Sequence, residues 1–254
     1  MARSSRGTFL IVTLVILLIV FIVILSTGDF SFKKTYDPGV PLSEILPRYR
    51  LINLDEIGIT TDFNKNGNND LKDIVIGAKK QLEAKAKNIF IEGSNEPNYY
   101  KGGDPPAGWA LDTDIVARSF KEAGFDLRTL INEDIKNNFN EYPLKKLWNQ
   151  NVPDIDIDYR RIQNMEIFFK RNAKVLTSNF NNLDDENLKE WLPGDVVFFD
   201  MNKDGLTDSV GIITDSTTRD GTPKVIYNYI EPGYTTEDNL LENKTITGHY
   251  RYPK

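Results

Sequence analysis

Two stretches of this chain carry oxygen-rich side chains at metal-ligand spacing. Asp62–Asp73 reads DFNKNGNNDLKD, with Asp62, Asn64, Asn66, Asp70 and Asp73 at positions 1, 3, 5, 9 and 12. Gly67 stands at position 6, where an EF-hand loop turns sharply, and Asn68 at position 7 offers its carbonyl. The spacing predicts a Ca2+ loop in which a short Asp replaces the usual bidentate Glu, at the weak, extracellular end of the affinity range. The competing account is an Asn/Gly turn that caps the following helix. A second run, DMNKDGLTD, places Asp200, Asn202, Asp204 and Asp208 around Gly205, but position 12 is Gly211. A plain hairpin turn accounts for this run as well as a cation does.

The other chemistry-bearing stretch is Gly102–Phe120, GGDPPAGWALDTDIVARSF, a Gly/Pro loop running into an amphipathic helix. Hydrolases often place a nucleophile at such a junction, because free N–H groups and the helix dipole stabilise an anion there. The residue at the junction is Asp112. The chain has no Cys, which excludes thiol catalysis, disulfides and thiolate metal sites together. Its one His, His249, excludes a multi-histidine zinc site. Two carboxylates suffice for acid–base hydrolysis, and Asp104, Asp112, Asp114 and Asp208 are the candidates. Asp112 and Asp114, two residues apart, do not face each other on a helix. As a helix N-cap, Asp112 needs no catalytic role at all.

Several elements must position these groups. A helix is expected over Leu71–Lys87 after the first acidic loop. The central helix carries Ile115, Val116, Ser119, Phe120 and Ala123 inward and stops at Gly124. Another starts at Asp126, with Leu127, Leu130, Ile131 and Ile135 on one face. The run DIDIDYRR reads as an extended, solvated edge with Asp154, Asp156 and Asp158 on one side. A short helix follows around Met165–Asn172. Strands are expected at Val196–Phe199, Val210–Ile213, Lys224–Ile230 and Thr247–Tyr252, forming a small antiparallel sheet. Helices first and strands afterwards indicate the α+β class.

Composition narrows the partners. Setting aside Arg3 and Arg6 leaves 29 cationic against 37 acidic side chains, which argues against nucleic acid. Phe9–Leu25 is a 17-residue run whose only polar member is Thr13, just long enough for a hydrocarbon core. It predicts a single-pass membrane anchor over 9–26 behind a tail at 1–8, with a cleaved signal peptide as the alternative. Arg3 and Arg6 favour an inside N-terminus and an extracytoplasmic C-terminal part. Residues 27–60, with Pro38, Pro41 and Pro47, read as a stalk to a domain at 61–254.

The segments GGDPP, TDIVARSF, DLRTLINEDI, DIDYRRIQNMEIFFKRN, PGDVVFF, VGIITD, VIYN and TGHYRY run in order through the chain. They resemble domain-of-unknown-function family 1287, which is similar to the NlpC-type, papain-like cell-wall peptidases, and the resemblance spans roughly residues 70–253. It implies a papain-like α+β domain with its groove at the central junction. Trp109, Asp114, Tyr99, Tyr100 and Asn228 are then candidate wall residues. In the family pattern a Cys stands where this chain has Asp112, a His where it has Ser209, and a second His where it has Tyr227. His249 falls in the terminal block, outside the catalytic pattern. The resemblance therefore implies a pseudoenzyme that binds peptidoglycan, a wall peptide or an envelope protein without turnover. A carboxylate hydrolase using Asp112 and a purely structural envelope protein are the alternatives.

Overall fold

The computed structural model describes residues 53, 55, 58–91, 93 and 98–254. The expected anchor, the tail before it and most of the stalk lie outside those residues. No helix among the described residues is long and apolar enough to cross a membrane.

The fold is mixed α+β. Helix α1 (Asp70–Ala84) follows the first acidic loop, with Asn69 capping it by accepting the Lys72 N–H. It ends three residues earlier than expected, because Lys85 takes a left-handed conformation. A short parallel pair, β1 (Lys87–Asn88) with β2 (Trp109–Ala110), carries the chain to the central junction. Helix α2 (Asp112–Glu122) buries Ile115, Val116, Ser119 and Phe120. Gly124, at φ 86°, breaks it, and the Phe125 N–H returns to the Phe120 carbonyl. Helix α3 (Leu127–Asn137) is capped by Asp126 and buries Leu127, Ile131 and Ile135, as the period of its apolar residues requires. Helices α4 (Leu144–Trp148) and α5 (Ile162–Asn172) follow, and α5 sends Met165, Phe168 and Phe169 into the core.

The expected extended edge at DIDIDYRR is wrong. Residues Asp158–Arg160 form a 3-10 turn, and Asp158 is fully buried. Its carboxylate accepts the Asp154 N–H, the Gln150 amide and the Arg161 guanidinium. A locally closed loop satisfies that carboxylate more completely than an open strand would, and a buried charge needs such partners.

Six strands make one sheet in the order β3-β8-β4-β5-β6-β7: β3 (Lys174–Val175), β8 (Thr245–Arg251), β4 (Val196–Asp200), β5 (Ser209–Thr217), β6 (Pro223–Tyr227) and β7 (Thr236–Asp238). All its pairings are antiparallel. A short helix, α6 (Asp185–Leu188), precedes β4. One sheet face, with Val196, Phe198, Val210, Ile212, Ile226 and Tyr250, packs on the helices. The other, with Val197, Phe199, Ile213, Val225 and Tyr227, packs on Trp191, Leu240 and Leu241. Two covered faces explain why β4 reads VVFF without alternation.

His249, on β8, belongs to the second layer. Its Nδ1 is 2.9 Å from the Thr177 carbonyl, its Nε2 3.0 Å from Asp195 Oδ2, and its ring stacks on Trp191 with centroids 4.0 Å apart. Arg251 also grips Asp195, through Nε and Nη2 at 2.6 and 2.7 Å. The single imidazole of the chain thereby fastens β8 to the segments just after β3 and just before β4.

Helix α2 is set against α1 by a glycine. A Cβ at Gly77 would stand 2.6 Å from the Ser119 carbonyl oxygen and 2.7 Å from its Cα, both backbone atoms that cannot rotate away. Gly77→Ala should therefore cost about 1–3 kcal/mol by overpacking, partly offset by the roughly 1 kcal/mol that Ala gains in helix propensity. The expected outcome is a lower melting temperature; an unchanged one would show that the helices do not pack this closely.

Candidate functional site

The central junction is built from two carboxylates with separate tasks. Asp114, at the third position of α2, accepts the Leu111 N–H at 2.8 Å and so closes the helix start. The N-cap role expected of Asp112 belongs to Leu111 and Asp114. Asp114 also receives Arg160 Nε at 2.7 Å and Nη2 at 3.0 Å, with both side chains fully buried. Arg160 reaches on to the Asn98 carbonyl and lies 5.1 Å from the Tyr100 ring centroid, while its own carbonyl accepts the Thr113 hydroxyl. Burial pushes the Asp114 carboxyl up, against the pull of Arg160. Asp114 is thus a strut inside the fold and not a groove wall.

Asp112 is 7% exposed. Its Oδ1 accepts the Thr113 N–H at 2.7 Å, and its Oδ2 accepts the Val210 N–H at 3.0 Å. The carboxylate therefore bridges the start of α2 to the start of β5. Burial raises its pKa to about 7, opposed by the Val210 N–H, the neighbouring Ser209 hydroxyl and the Thr113 N–H. The structure thus brings Ser209 beside Asp112, as the expected site requires. Ser209 is fully buried, and its Oγ has no hydrogen bond of normal geometry among the described residues. Tyr227 is 4% exposed at the end of β6, and burial lifts its phenol to about 12.

The remaining expected wall residues separate. Asn228 is buried, donating to the Ala86 carbonyl at 3.0 Å and to Thr235 Oγ1 at 3.1 Å; it clamps β1 to the end of β6 and walls no groove. Trp109 is half-buried with the Lys87 ammonium 6.0 Å from its ring centroid, and Tyr99 is exposed. Asp104 pairs with Arg118. Asp208 accepts the Met201 N–H at 2.7 Å and the Tyr229 hydroxyl at 2.9 Å.

The two acidic loops share one geometry. In the first, Asp62 accepts the Asn66 and Gly67 N–H groups, Asn64 accepts Asn66 N–H, Asn66 accepts Asn68 N–H, and Asp70 reaches back to Phe63 N–H. In the second, Asp200 accepts Asp204 and Gly205, Asn202 accepts Asp204, Asp204 accepts Leu206, and Asp208 reaches back to Met201. Gly67 and Gly205 sit at φ 92° and 88°, where a side chain would be strained, and Lys65 and Lys203 at 59° and 65°. The second run is therefore a folded loop of the same kind as the first. The loops differ inside. Asn64, Asn66 and Asn68 all donate side-chain N–H groups to Asp73, at 2.8, 2.8 and 3.0 Å. The second loop has Asp204 at the place of Asn66. Among the described residues, no three or more His, Cys, Asp or Glu side chains stand grouped as a metal site.

A cleft of about 510 Å3 opens between the end of β4, the segment after β6 and the turn after β7. Of the expected site residues, it takes in Tyr227 and Asn202. Sequence reading misses its other walls, such as Tyr229 and Leu240, because three segments distant in the chain build it. The local signal is the two-residue spacing of Tyr227 and Tyr229 within the strand expected over Lys224–Ile230, although β6 itself ends at Tyr227.

Residues 75–252 match the family model described as a domain of unknown function, DUF1287. The chain belongs to that family. It is 35% identical over 179 residues to the uncharacterized protein YijF of Escherichia coli (strain K12), covering 70% of this chain and 80% of that one. Among solved structures it is similar to NlpC1 from Trichomonas vaginalis, at 12% identity and a TM-score of 0.40. That alignment covers 74% of this chain but spans less than half, 46%, of the other, a likeness too loose to carry any argument about the site.

In this family member the junction carboxylate makes stability depend on pH. With the folded-state pKa of Asp112 near 7, above its unfolded value, the folded state holds the extra proton between them. The stabilisation is complete below about pH 4 and is lost as pH rises through 7. Asp112→Asn should remove that slope from the variant's own denaturation profile, so the difference between wild type and variant changes with pH across this range. Parallel profiles for wild type and variant across this range would show that Asp112 does not titrate there.

Proposed function

We propose that this protein is a membrane-anchored, extracytoplasmic binding protein with a papain-like domain that holds wall material without cleaving it. The observation that carries this reading is the engagement of Asp112. At the helix start where a nucleophile would stand, a buried carboxylate gives both oxygens to backbone N–H groups of α2 and β5. A residue so held is a brace, and a carboxylate is a poor nucleophile toward an amide. No Cys exists in the chain to replace it, and the lone imidazole fastens β8 to Asp195 and Thr177. The occupant that suits this reading is peptidoglycan, a wall peptide or an envelope protein, and the apolar run at residues 9–25 supplies the anchor.

The carboxylate-hydrolase reading keeps one supporting observation, since a carboxyl with a pKa of about 7 suits general acid–base work at neutral pH. One experiment separates the two. The full chain in detergent, incubated with purified peptidoglycan, should sediment with the wall and release no soluble fragments. Fragment release abolished by Asp112→Ala would overturn the binding-protein reading; absence of both release and sedimentation would leave a structural role.

Calcium belongs to the same proposal as a brace for the loops. The donor set supports it in part: Asp62, Asp70 and Asp73 line the first loop, and Asp200, Asp204 and Asp208 the second. Ligation in the first requires the Asn amides to turn their oxygens inward, away from the N–H contacts to Asp73. The second presents a carboxylate at that place already. Calcium at about 1 mM, the weak extracellular range, should raise the melting temperature, and EDTA should reverse the shift. A melting temperature indifferent to both would remove calcium from both loops.

A further inference from the structure

The cleft beside Tyr227 is assigned no role by the junction chemistry, and its lining is specific enough to name a ligand class. Its inner surface is apolar, formed by Met201, Leu240 and the buried ring of Tyr227. Tyr229 stands at the side, half-buried, with its hydroxyl fixed on Asp208 Oδ2 at 2.9 Å. That bond fixes the tip of the ring, so the aromatic face is preorganised rather than ordered on binding. The rim carries three carboxamides: Asn202 is tied at both ends to Asp204 and Asn239 at both ends to Glu242, while Asn243 donates to the Asn239 carbonyl. Glu231, Asp238 and Lys244 complete it, leaving a net charge of −1.

Each feature removes a class of occupant. Without a cationic cluster the cleft does not suit phosphate or nucleic acid. Its rim is too polar for a purely apolar ligand. At about 510 Å3 it lies within the size of small-ligand clefts, roughly 300–1,000 Å3. What remains is a neutral molecule with an apolar face and a margin of groups that both donate and accept. Carboxamides are the side chains that offer a donor and an acceptor in one plane, and a tyrosine presents an amphipathic aromatic body. A pyranose ring has this pattern: C–H bonds on its face and hydroxyls around its edge.

We propose that this cleft binds a neutral oligosaccharide, with Tyr229 as the stacking platform and the exposed Asn243 carboxamide reading hydroxyl or acetamido groups. The assignment rests on the wall-binding reading and places the glycan, not the peptide, in this cleft.

The test uses the full chain in detergent, titrated calorimetrically with N-acetylglucosamine tetramer, with cellotetraose, and with a sugar-free wall peptide. At least one tetrasaccharide should bind wild type. Tyr229→Ala should weaken that binding more than ten-fold, whereas Tyr229→Phe, which keeps the ring but loses the bond to Asp208, should stay within about three-fold of wild type. Asn243→Ala, at an exposed rim position, should weaken it several-fold with an unchanged melting temperature, so that misfolding does not explain the loss. Failure of both tetrasaccharides to bind overturns the proposal, as does saccharide binding indifferent to Tyr229→Ala and Asn243→Ala. Binding of the peptide alone overturns the glycan assignment and leaves the wall-binding function standing.

Discussion

The fully buried pair between Asp114 and Arg160 is the constraint on which the site depends. Its guanidinium meets the carboxylate through Nε and Nη2, and the remaining Nη1 goes to the Asn98 carbonyl. Taking two such charges out of water costs several kcal/mol per ion, and removing one partner from a buried pair costs about 3–5 kcal/mol. The pair therefore tolerates only an arrangement that satisfies every donor. That arrangement joins the residue 98–100 segment, the start of α2 and the Asp158–Arg160 turn. Once they are joined, the helix start cannot rotate, and Asp112 is carried to the Val210 N–H.

Two aspartates at one helix start thus end in different electrostatic states. Both are buried, and burial pushes both carboxyls up. Asp114 faces a guanidinium, which favours its charged form. Asp112 faces neutral N–H dipoles and the Ser209 hydroxyl, which stabilise a carboxylate less than a full positive charge does. Asp114 shares an ion pair with Arg160, while Asp112 sits close to its titration point at neutral pH. The difference follows from the partner, since chemistry and depth are shared.

The regular parts of the fold were legible because they repeat a short-range pattern. Ile115, Val116 and Phe120 on α2, and Leu127, Ile131 and Ile135 on α3, point inward as their spacing demands. The strands from Val196 and Val210 appear where β-branched and aromatic runs predict them. Asp158 was misplaced because alternation alone favours a strand, whereas the residue is buried by partners at Gln150, Asp154 and Arg161 that the period does not encode. Asn228 was misplaced for a related reason: its partners, Ala86 and Asn88, lie about 140 positions away. At the junction, the sequence points to Asp112 and Ser209 as neighbours, but whether the carboxylate is free or engaged depends on a strand almost a hundred residues later. The cleft was invisible for want of any contiguous segment that contains it.

The twin acidic loops show how one backbone can serve opposite electrostatic demands. Their hydrogen-bond patterns share the frame set by the first aspartate and the glycine five residues on, with Asp200 accepting the Lys203 N–H in addition. In the first, three amide N–H groups converge on the Asp73 carboxylate and do part of what a cation would do there. Asn64 also donates to the Glu122 carbonyl, which fastens the loop to the end of α2. The second loop has a carboxylate where the first has Asn66, and no Asp73 equivalent, since Gly211 stands there. Its Asp208 is steadied from outside, by the Tyr229 hydroxyl. Tyr229 stands at the side of the cleft, so the second loop and the cleft share a hinge-point residue. Asp208 thus ties that loop directly to a wall of the cleft. The first loop, closed on its own amides, has no such connection, and its coupling runs instead to the far end of α2.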